Sequence, residues 1–374
     1  MHLAWIADTR WLEQEVSQLH HLVVGLIDES VRVTQVLPRG RAEHGVTQFA
    51  ERLPWNESRL APLNRQRLAQ LAEPLRARKI TLLHGVGASL WPATLRLARQ
   101  LDVPAVLAGH GVSDAEAVRS LPSRAQSSAV AVVLPSEGLA DVAREAAKAD
   151  VLIHVAPLGV HPGSAEPRPL PGAEPGRRLS LAVSGTGRLD PGYSALLDAL
   201  AQLAPDMPDL QVFFEGMGAE QHEIWRAGRR LGLLPHMTLA PAHLARRELL
   251  LRADALLLPQ ALGRCRSLPL QAMASGLPVL AAVDPACEEF QQGRTAWLLE
   301  DPTPEGWLSL LRRLADRPDD ARGLARTAQQ WVREHRLAST QVAGLLDLYR
   351  VLLGQNHPFP ATASDREPAA NPGP

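Results

Sequence analysis

The sequence predicts two doubly wound α/β domains, each on a parallel sheet, facing one another across a cleft. Short apolar runs rich in Val, Leu and Ala alternate with helix-period stretches from end to end, which is the pattern of parallel strands joined by crossover helices. One stretch dense in Pro and Gly, residues 161–178, interrupts that alternation near the middle. The 374 residues, 45% of them apolar, suffice for two cores at roughly 150 residues per domain.

In the first half, strands are expected at His2–Ala7, Val31–Leu37, Ile80–Leu83, Val103–Ala108, Ala129–Pro135 and Val151–Ala156. Between them lie amphipathic segments; Leu68, Leu71 and Leu75, for example, are spaced for one helical face. Residues 161–178 read as a linker between a domain at 1–160 and a second at 179–337. The second set of strands is expected at Leu179–Ser184, Leu210–Phe214, Met237–Ala240, Ala255–Leu258, Val279–Ala282 and Ala296–Leu299. Leu196, Leu197, Leu200 and Leu203 mark the helix after the first of these. From about Pro304 to Leu353 the chain reads as helical, divided at Pro318, and residues 355–374 read as a disordered Pro/Ala-rich tail. Open sheets of this kind bind ligands beyond the carboxyl ends of their strands, so functional residues are expected in loops lining the cleft.

Composition excludes several classes. Lys and Arg total 39 against 40 Asp and Glu, with 17 basic and 16 acidic groups in residues 1–160, so no basic face for nucleic acid is expected. The N-terminus lacks a basic segment and meets Asp8 too soon for a signal peptide, and no apolar run reaches the roughly 18 residues of a membrane span. Cys265 and Cys287 make neither a disulfide framework nor a metal-ligand spacing; they read as small packing residues in a reduced, cytoplasmic setting.

Two segments carry candidate chemistry. Ser184-Gly185-Thr186-Gly187-Arg188-Leu189-Asp190-Pro191 follows the first strand of the second domain. Its glycines permit close backbone approach and Arg188 suits bidentate contact with a phosphate near the next helix N-terminus, though the spacing is not that of a dinucleotide fingerprint. Gly263 to Val279 holds a short helix with Ser267 as expected N-cap, Pro269 in the first turn and Gly276 as terminator. Arg264 and Arg266 stand just before its positive end and read either as phosphate ligands or as solvated loop charge.

The segment Pro269-Leu270-Gln271-Ala272-Met273-Ala274-Ser275-Gly276-Leu277-Pro278-Val279 resembles the hallmark Leu-Glu-Ala-Met-Ala-x-Gly-x-Pro-Val of the retaining, family-4-like glycosyltransferases of GT-B fold (glycosyl transferases group 1). Val183–Leu200, Phe213–Gly218, Leu231-Gly232-Leu233, Leu250–Pro259 and Gly293–Leu298 resemble that family's flanking segments in order, with weaker counterparts at Leu83-His84-Gly85, Val103–Gly111 and Pro157–Val160. The resemblance implies an acceptor-side domain at 1–160, a nucleotide-sugar domain at 179–337 and a final helix, 338–354, crossing back to the first domain. It implies hexosyl transfer with retention from a UDP- or GDP-type donor to a glycan or lipid-linked acceptor. No metal is expected at the diphosphate, no cofactor beyond the donor substrate and no nucleic-acid partner. Peripheral association with the inner face of a membrane is common in the family.

By the same resemblance Arg188 and His110 are the expected catalytic residues, and Gly187, Gly216, Arg264, Arg266, Ser267, Leu268 and Gln271 the expected donor site. Glu288 falls where the family places a Glu in a loop facing the cleft. The chain departs from the pattern at several positions: Tyr193 stands where the family has the phosphate Lys, Gly263 and Gln271 stand at the two positions of its Glu-x7-Glu pair, and Asp8 leads straight into Thr9 without the usual Gly-Gly turn. A catalytically degenerate paralogue, acting as sugar-nucleotide binder or partner subunit, is the alternative those losses raise. A sugar-nucleotide epimerase of the same fold fits the segment around Ala272 poorly.

Overall fold

A computed structural model describes residues 1–39, 50–58, 60–121, 129–148, 151–163, 178–216, 221–241 and 246–354. Most of the expected linker and all of the expected tail lie outside the described residues. The N-terminal sheet contains β1 (His2–Ile6), β2 (Arg32–Pro38), β3 (Glu51–Trp55), β4 (Leu82–Val86), β5 (Ala105–Ala108), β6 (Val130–Leu134) and β7 (Leu152–Val155). Its order is β3-β2-β1-β4-β5-β6-β7 and every pairing is parallel.

The C-terminal sheet contains β8 (Ser180–Val183), β9 (Gln211–Gly216), β10 (Met237–Pro241), β11 (Ala255–Leu258), β12 (Val279–Ala282) and β13 (Trp297–Leu299), in the order β10-β9-β8-β11-β12-β13, again all parallel. Each sheet reverses direction of growth at its first strand, so crevices open between β1 and β4 and between β8 and β11. The central strands are buried along their whole length, as β1, β4, β5, β11 and β12 show, and such strands read as unbroken apolar runs.

Among the described residues, eleven helices cover the sheets between α1 (Thr9–Asp28) and α13 (Ala338–Leu352). They are α2 (Ala61–Ala69), α3 (Ala72–Ala77), α4 (Trp91–Leu101), α5 (Val112–Ala117), α6 (Glu137–Ala146), α7 (Pro191–Leu203), α8 (Gln221–Arg230), α9 (Arg246–Arg252), α10 (Ser267–Ala274), α11 (Pro304–Asp316) and α12 (Pro318–His335). All twelve expected strands are present within a few residues of their expected bounds. The sequence pattern misses β3, an edge strand of composition Glu-Arg-Leu-Pro-Trp that is mostly exposed and carries a Pro no central strand tolerates.

One helical expectation is corrected. The single face through Leu68, Leu71 and Leu75 is divided between α2 and α3, and the break falls at Leu71 while Leu68 and Leu75 stay in the core. The 304–353 stretch divides before Pro318 and again at Leu337, after which the expected final helix runs as α13.

α13 buries Val342, Leu345, Leu346, Leu348 and Tyr349 in one cluster with Leu3, Trp5, Leu19, Leu22 and Leu26 of the N-terminal sheet and α1. Its Tyr349 hydroxyl shares a 2.6 Å hydrogen bond with His84 Nδ1 on β4. At its start, Val160 and Leu337 form a parallel bridge. Glycine is required at 159, because a Cβ there would lie 2.4 Å from the Leu337 carbonyl oxygen and 2.8 Å from the Ala338 Cα.

Gly159→Ala is therefore expected to lower stability by about 1–3 kcal/mol, since two backbone segments must separate. Gly323→Ala, at an exposed position inside α12 with nothing within 4 Å of the added Cβ, should raise it by roughly 0.5–1 kcal/mol. Thermal denaturation of both variants checks the pair of signs. His84 also makes a pH prediction. Burial lowers its pKa from 6.5 to about 3, so below pH 6.5 the unfolded chain takes up a proton that the native ring refuses. Stability should fall as pH drops through that window. The loss attributable to His84 is about 1.4 kcal/mol between pH 7.5 and 5.5, seen as the difference between wild type and His84→Gln in urea titrations at the two pH values.

Candidate functional site

The N-terminus of α10 points into the junction of the two domains. The expected cap is displaced by one residue: Arg266 occupies the N-cap position with extended backbone, and Ser267 is the first helical residue. Arg266 offers no side-chain acceptor, so the exposed peptide groups of the first turn need one from elsewhere. Pro269 removes one donor from that turn.

The acceptor comes from the other domain. Glu15 on α1 places Oε2 3.2 Å from the Ser267 amide nitrogen and 2.5 Å from the Ser267 hydroxyl, and both groups donate to it. The carboxylate is 1% exposed, and at Glu15 the helix departs from helical dihedrals (φ −133°, ψ 28°), turning this one residue toward α10. Gln271, one turn into α10, donates through Nε2 to the Ser17 hydroxyl of α1 at 2.6 Å and to Ser267 Oγ at 3.1 Å. The helix end where an anion is expected thus already carries one, supplied by the chain itself.

Arg266 is not a solvated charge. Its guanidinium donates through Nη1 to Ser184 Oγ at 2.8 Å and through Nη2 to Glu215 Oε2 at 3.1 Å, while the Ser184 hydroxyl closes the triangle by donating to Glu215. The side chains of Arg266 and Glu215 are 5% and 0% exposed. Tyr193, at the position of the family's Lys, is wholly buried near this network and packs against Phe214. Burial pushes its phenol well above the ordinary range, so it brings no charge to the cleft.

Arg264 lies where the domains meet backbone to backbone. Gly111 and Arg264 form an antiparallel bridge, the Val112 amide donates to the Gly263 carbonyl at 2.8 Å, and the Cys265 amide donates to the His110 carbonyl at 2.8 Å. Gly263 sits at φ +59°, a left-handed conformation that disfavours any side chain there. Asp284 holds this segment by accepting from the Leu262 and Gly263 amides at 2.7 and 2.9 Å. Further along, the Ser136 hydroxyl donates to the Ala286 carbonyl, and Glu288 accepts from the Gly138 amide at the start of α6.

His110 follows β5, and its amide donates to Asp114. Burial lowers its pKa while Glu15 and Asp114 pull the other way, so a neutral ring faces the junction. Beneath it lies a cavity of about 20 Å³ lined in part by Trp5, Trp11 and His84. The glycine turn after β8 is held by Gln260, which follows β11: its Oε1 accepts from the Thr186 amide at 2.8 Å and its Nε2 donates to Asp190. Gly187 adopts φ +77°, and Arg188 projects exposed from this turn at the mouth of the β8/β11 crevice. Gly216 ends β9, the next strand of the sheet, and Leu268 is buried in the first turn of α10.

The structure therefore gathers Arg264, Arg266, Ser267, Leu268, Gln271 and His110 at one junction and sets Arg188 with Gly187 on a separate turn. Glu15, Ser17, Glu215, Gln260 and Asp284 complete the site and are not among the sequence candidates. One signal was available for Glu15: with Leu12, Leu19, Leu22 and Leu26 it falls on the buried stripe of α1, where a carboxylate is anomalous unless it has a partner.

Residues 181–317 match the family profile described as Glycosyl transferases group 1. No curated protein is similar to the chain in sequence. Among solved structures, a glycosyltransferase from Rickettsia africae superposes with a TM-score of 0.72 at 14% identity, covering 95% of this chain and 99% of that one. Sucrose-phosphate synthase from Thermosynechococcus elongatus gives 0.74 at 16%, covering 95% and 100%. Anabaena HepE in complex with UDP and glucose gives 0.69 at 14%, covering 92% and 98%. The two-domain architecture is thus that of the GT-B glycosyltransferase structures.

Removing one member of a buried ion pair strands the other. Glu215→Gln and Arg266→Met are each expected to cost about 3–5 kcal/mol, and the double variant less than their sum. A double-mutant cycle by urea unfolding measures this. A cost below about 1 kcal/mol for either single change is what a solvated pair would give.

Proposed function

We propose that this chain is a glycosyltransferase moving a hexosyl unit, with retention, from a UDP- or GDP-type nucleotide-sugar to a glycan or lipid-linked acceptor. The observation that carries this reading is the carboxylate of Glu15 seated on the N-terminus of α10, with Arg264 close by. A site that holds a carboxylate by a peptide N–H and a hydroxyl presents the same donors to a phosphate oxygen. The site lies within the stretch that matches glycosyl transferases group 1, and HepE, a structural neighbour, is complexed with UDP and glucose. The donor diphosphate takes the place of Glu15. As the bond between anomeric carbon and diphosphate oxygen breaks, negative charge grows on the leaving group, where the Ser267 and Leu268 amides and Arg264 or Arg188 stabilise it. Backbone amides and arginine side chains, with no metal at the diphosphate, carry that load in this reading. Neutral His110 is placed to hydrogen-bond a sugar hydroxyl.

A groove of about 590 Å³ along α4 supports the acceptor half of the reading. Trp91, Leu95 and Leu121 give it an apolar wall, and Arg65, Arg96 and Arg99 line it with positive charge, a combination suited to an anionic, lipid-linked acceptor at the cytoplasmic face of a membrane. Among the described residues no helix is long and apolar enough to cross a membrane.

The same Glu15 favours a second reading, in which the seat is never vacated and the protein is a non-catalytic paralogue. Glu15→Gln separates the two. Removing the competing negative charge should tighten UDP, GDP or UDP-hexose binding about tenfold, or about 1.4 kcal/mol, in calorimetry. Arg188→Ala should weaken that binding. Donor hydrolysis or transfer by wild type or Glu15→Gln supports the enzyme, and binding without turnover supports the paralogue. If neither protein binds any nucleotide or nucleotide-sugar, both readings fail.

A further inference from the structure

Three metal-ligating side chains that no step above uses meet inside the C-terminal domain. The Sγ atoms of Cys265 and Cys287 and a carboxylate oxygen of Glu289 all lie within 4.8 Å of one another, and all three residues are buried. They arrive from two loops: Cys265 from the segment leading into α10, Cys287 and Glu289 from the loop between β12 and β13. Asp284 fixes these loops in register by accepting from Leu262 and Gly263 on one side and from the Ala286 amide on the other. The thiols lie crosswise: Cys265 Sγ donates to the Ala286 carbonyl at 3.0 Å and Cys287 Sγ donates to the Arg264 carbonyl at 3.3 Å. Each thiol thus bonds to the residue just before the other cysteine. Thiols are weak donors, and these contacts are cheap to give up.

Glu289 makes the cluster chemically incomplete. It is 4% exposed, and its backbone carbonyl accepts from the Thr295 hydroxyl at 2.5 Å. Two thiols and a carboxylate oxygen this close together offer a soft cation two sulfur ligands and one oxygen ligand. Tetrahedral zinc with Zn–S near 2.3 Å sets its ligand atoms about 3.8 Å apart, so closure asks for movements of roughly 1 Å at most.

We propose that Cys265, Cys287 and Glu289 form a binding site for a soft divalent cation, zinc in the first instance. Binding releases the two thiol protons and any carboxyl proton, and it forms two metal–sulfur bonds and one metal–oxygen bond. A fourth position remains for water or for the hydroxyl of Ser136, which lies beside Cys265 and belongs to the N-terminal domain. The ion clamps the β12–β13 loop to the segment that carries Arg264 and Arg266. It therefore fixes the approach to α10 from the side of the β12–β13 loop.

The test uses the full chain, purified reduced and without chelator. Titration with zinc against a chromophoric chelator should give one tight equivalent per chain, and cobalt(II) should produce a near-ultraviolet thiolate-to-metal band. Cys265→Ser, Cys287→Ser and Glu289→Gln should each weaken zinc at least tenfold, and the cobalt band should fall in both serine variants. Zinc should raise the Tm of wild type and leave that of Cys265→Ser unchanged. Three results overturn the proposal: no stoichiometric zinc with no cobalt band in wild type, undiminished zinc affinity in the Cys265→Ser/Cys287→Ser double variant, or a Cys265–Cys287 disulfide in the protein as isolated. The wild-type titration and spectrum decide the matter even if a variant fails to fold.

Discussion

A helix that ends inside a domain junction brings unpaired peptide N–H groups into a place where water does not reach them, and something must accept from them. At α10 that acceptor is the Glu15 carboxylate, delivered from the opposite domain by a local departure from helical geometry in α1. Much of the junction follows from this one contact. Ser267 donates twice to the same oxygen, Gln271 bridges Ser267 to Ser17, and the Gly111–Arg264 bridge sets the backbones of the two domains side by side. The negative charge stabilises the positive end of the helix, which is the physical property that makes such an end a phosphate site.

The charge inventory of the cleft is redistributed rather than simply reduced. Arg266 looks from its place in the chain like a phosphate ligand, but it spends its charge on Glu215 and Ser184, inside the C-terminal domain. Tyr193 fills its place beside this network with a neutral, wholly buried ring, and Gly263 takes a left-handed turn that lets Val112 approach. Arg188 is exposed on the turn after β8, and Arg264 is half-buried at the Gly111 bridge. The carboxylate at the N-terminus of α10 is that of Glu15, and it is held there by both the amide and the hydroxyl of Ser267.

Much of the architecture was legible in the sequence, because fully buried parallel strands announce themselves as short apolar runs and crossover helices as period-3.6 stripes. The strand that escaped, β3, is short, polar and at an edge, where neither burial nor periodicity leaves a mark. The C-terminal end of α10 was legible because local chemistry sets it: Gly276 closes the helix at φ +73°. The cap of α10 was not legible, since its acceptor stands 252 residues away in the chain.

The sequence by itself determined two parallel-sheet domains, the turn around Gly187, the helix behind Ser267, and the neutrality of positions 193 and 263, because these depend on side-chain type and on near neighbours. Only the tertiary structure decided which charges are already spent, that Glu15 occupies the expected anion seat, and that two cysteines 22 residues apart meet a buried glutamate. Hydrogen bonds and ion pairs act over a few ångströms of space and carry no trace of the chain length between their partners, so their assignment had to wait for the fold.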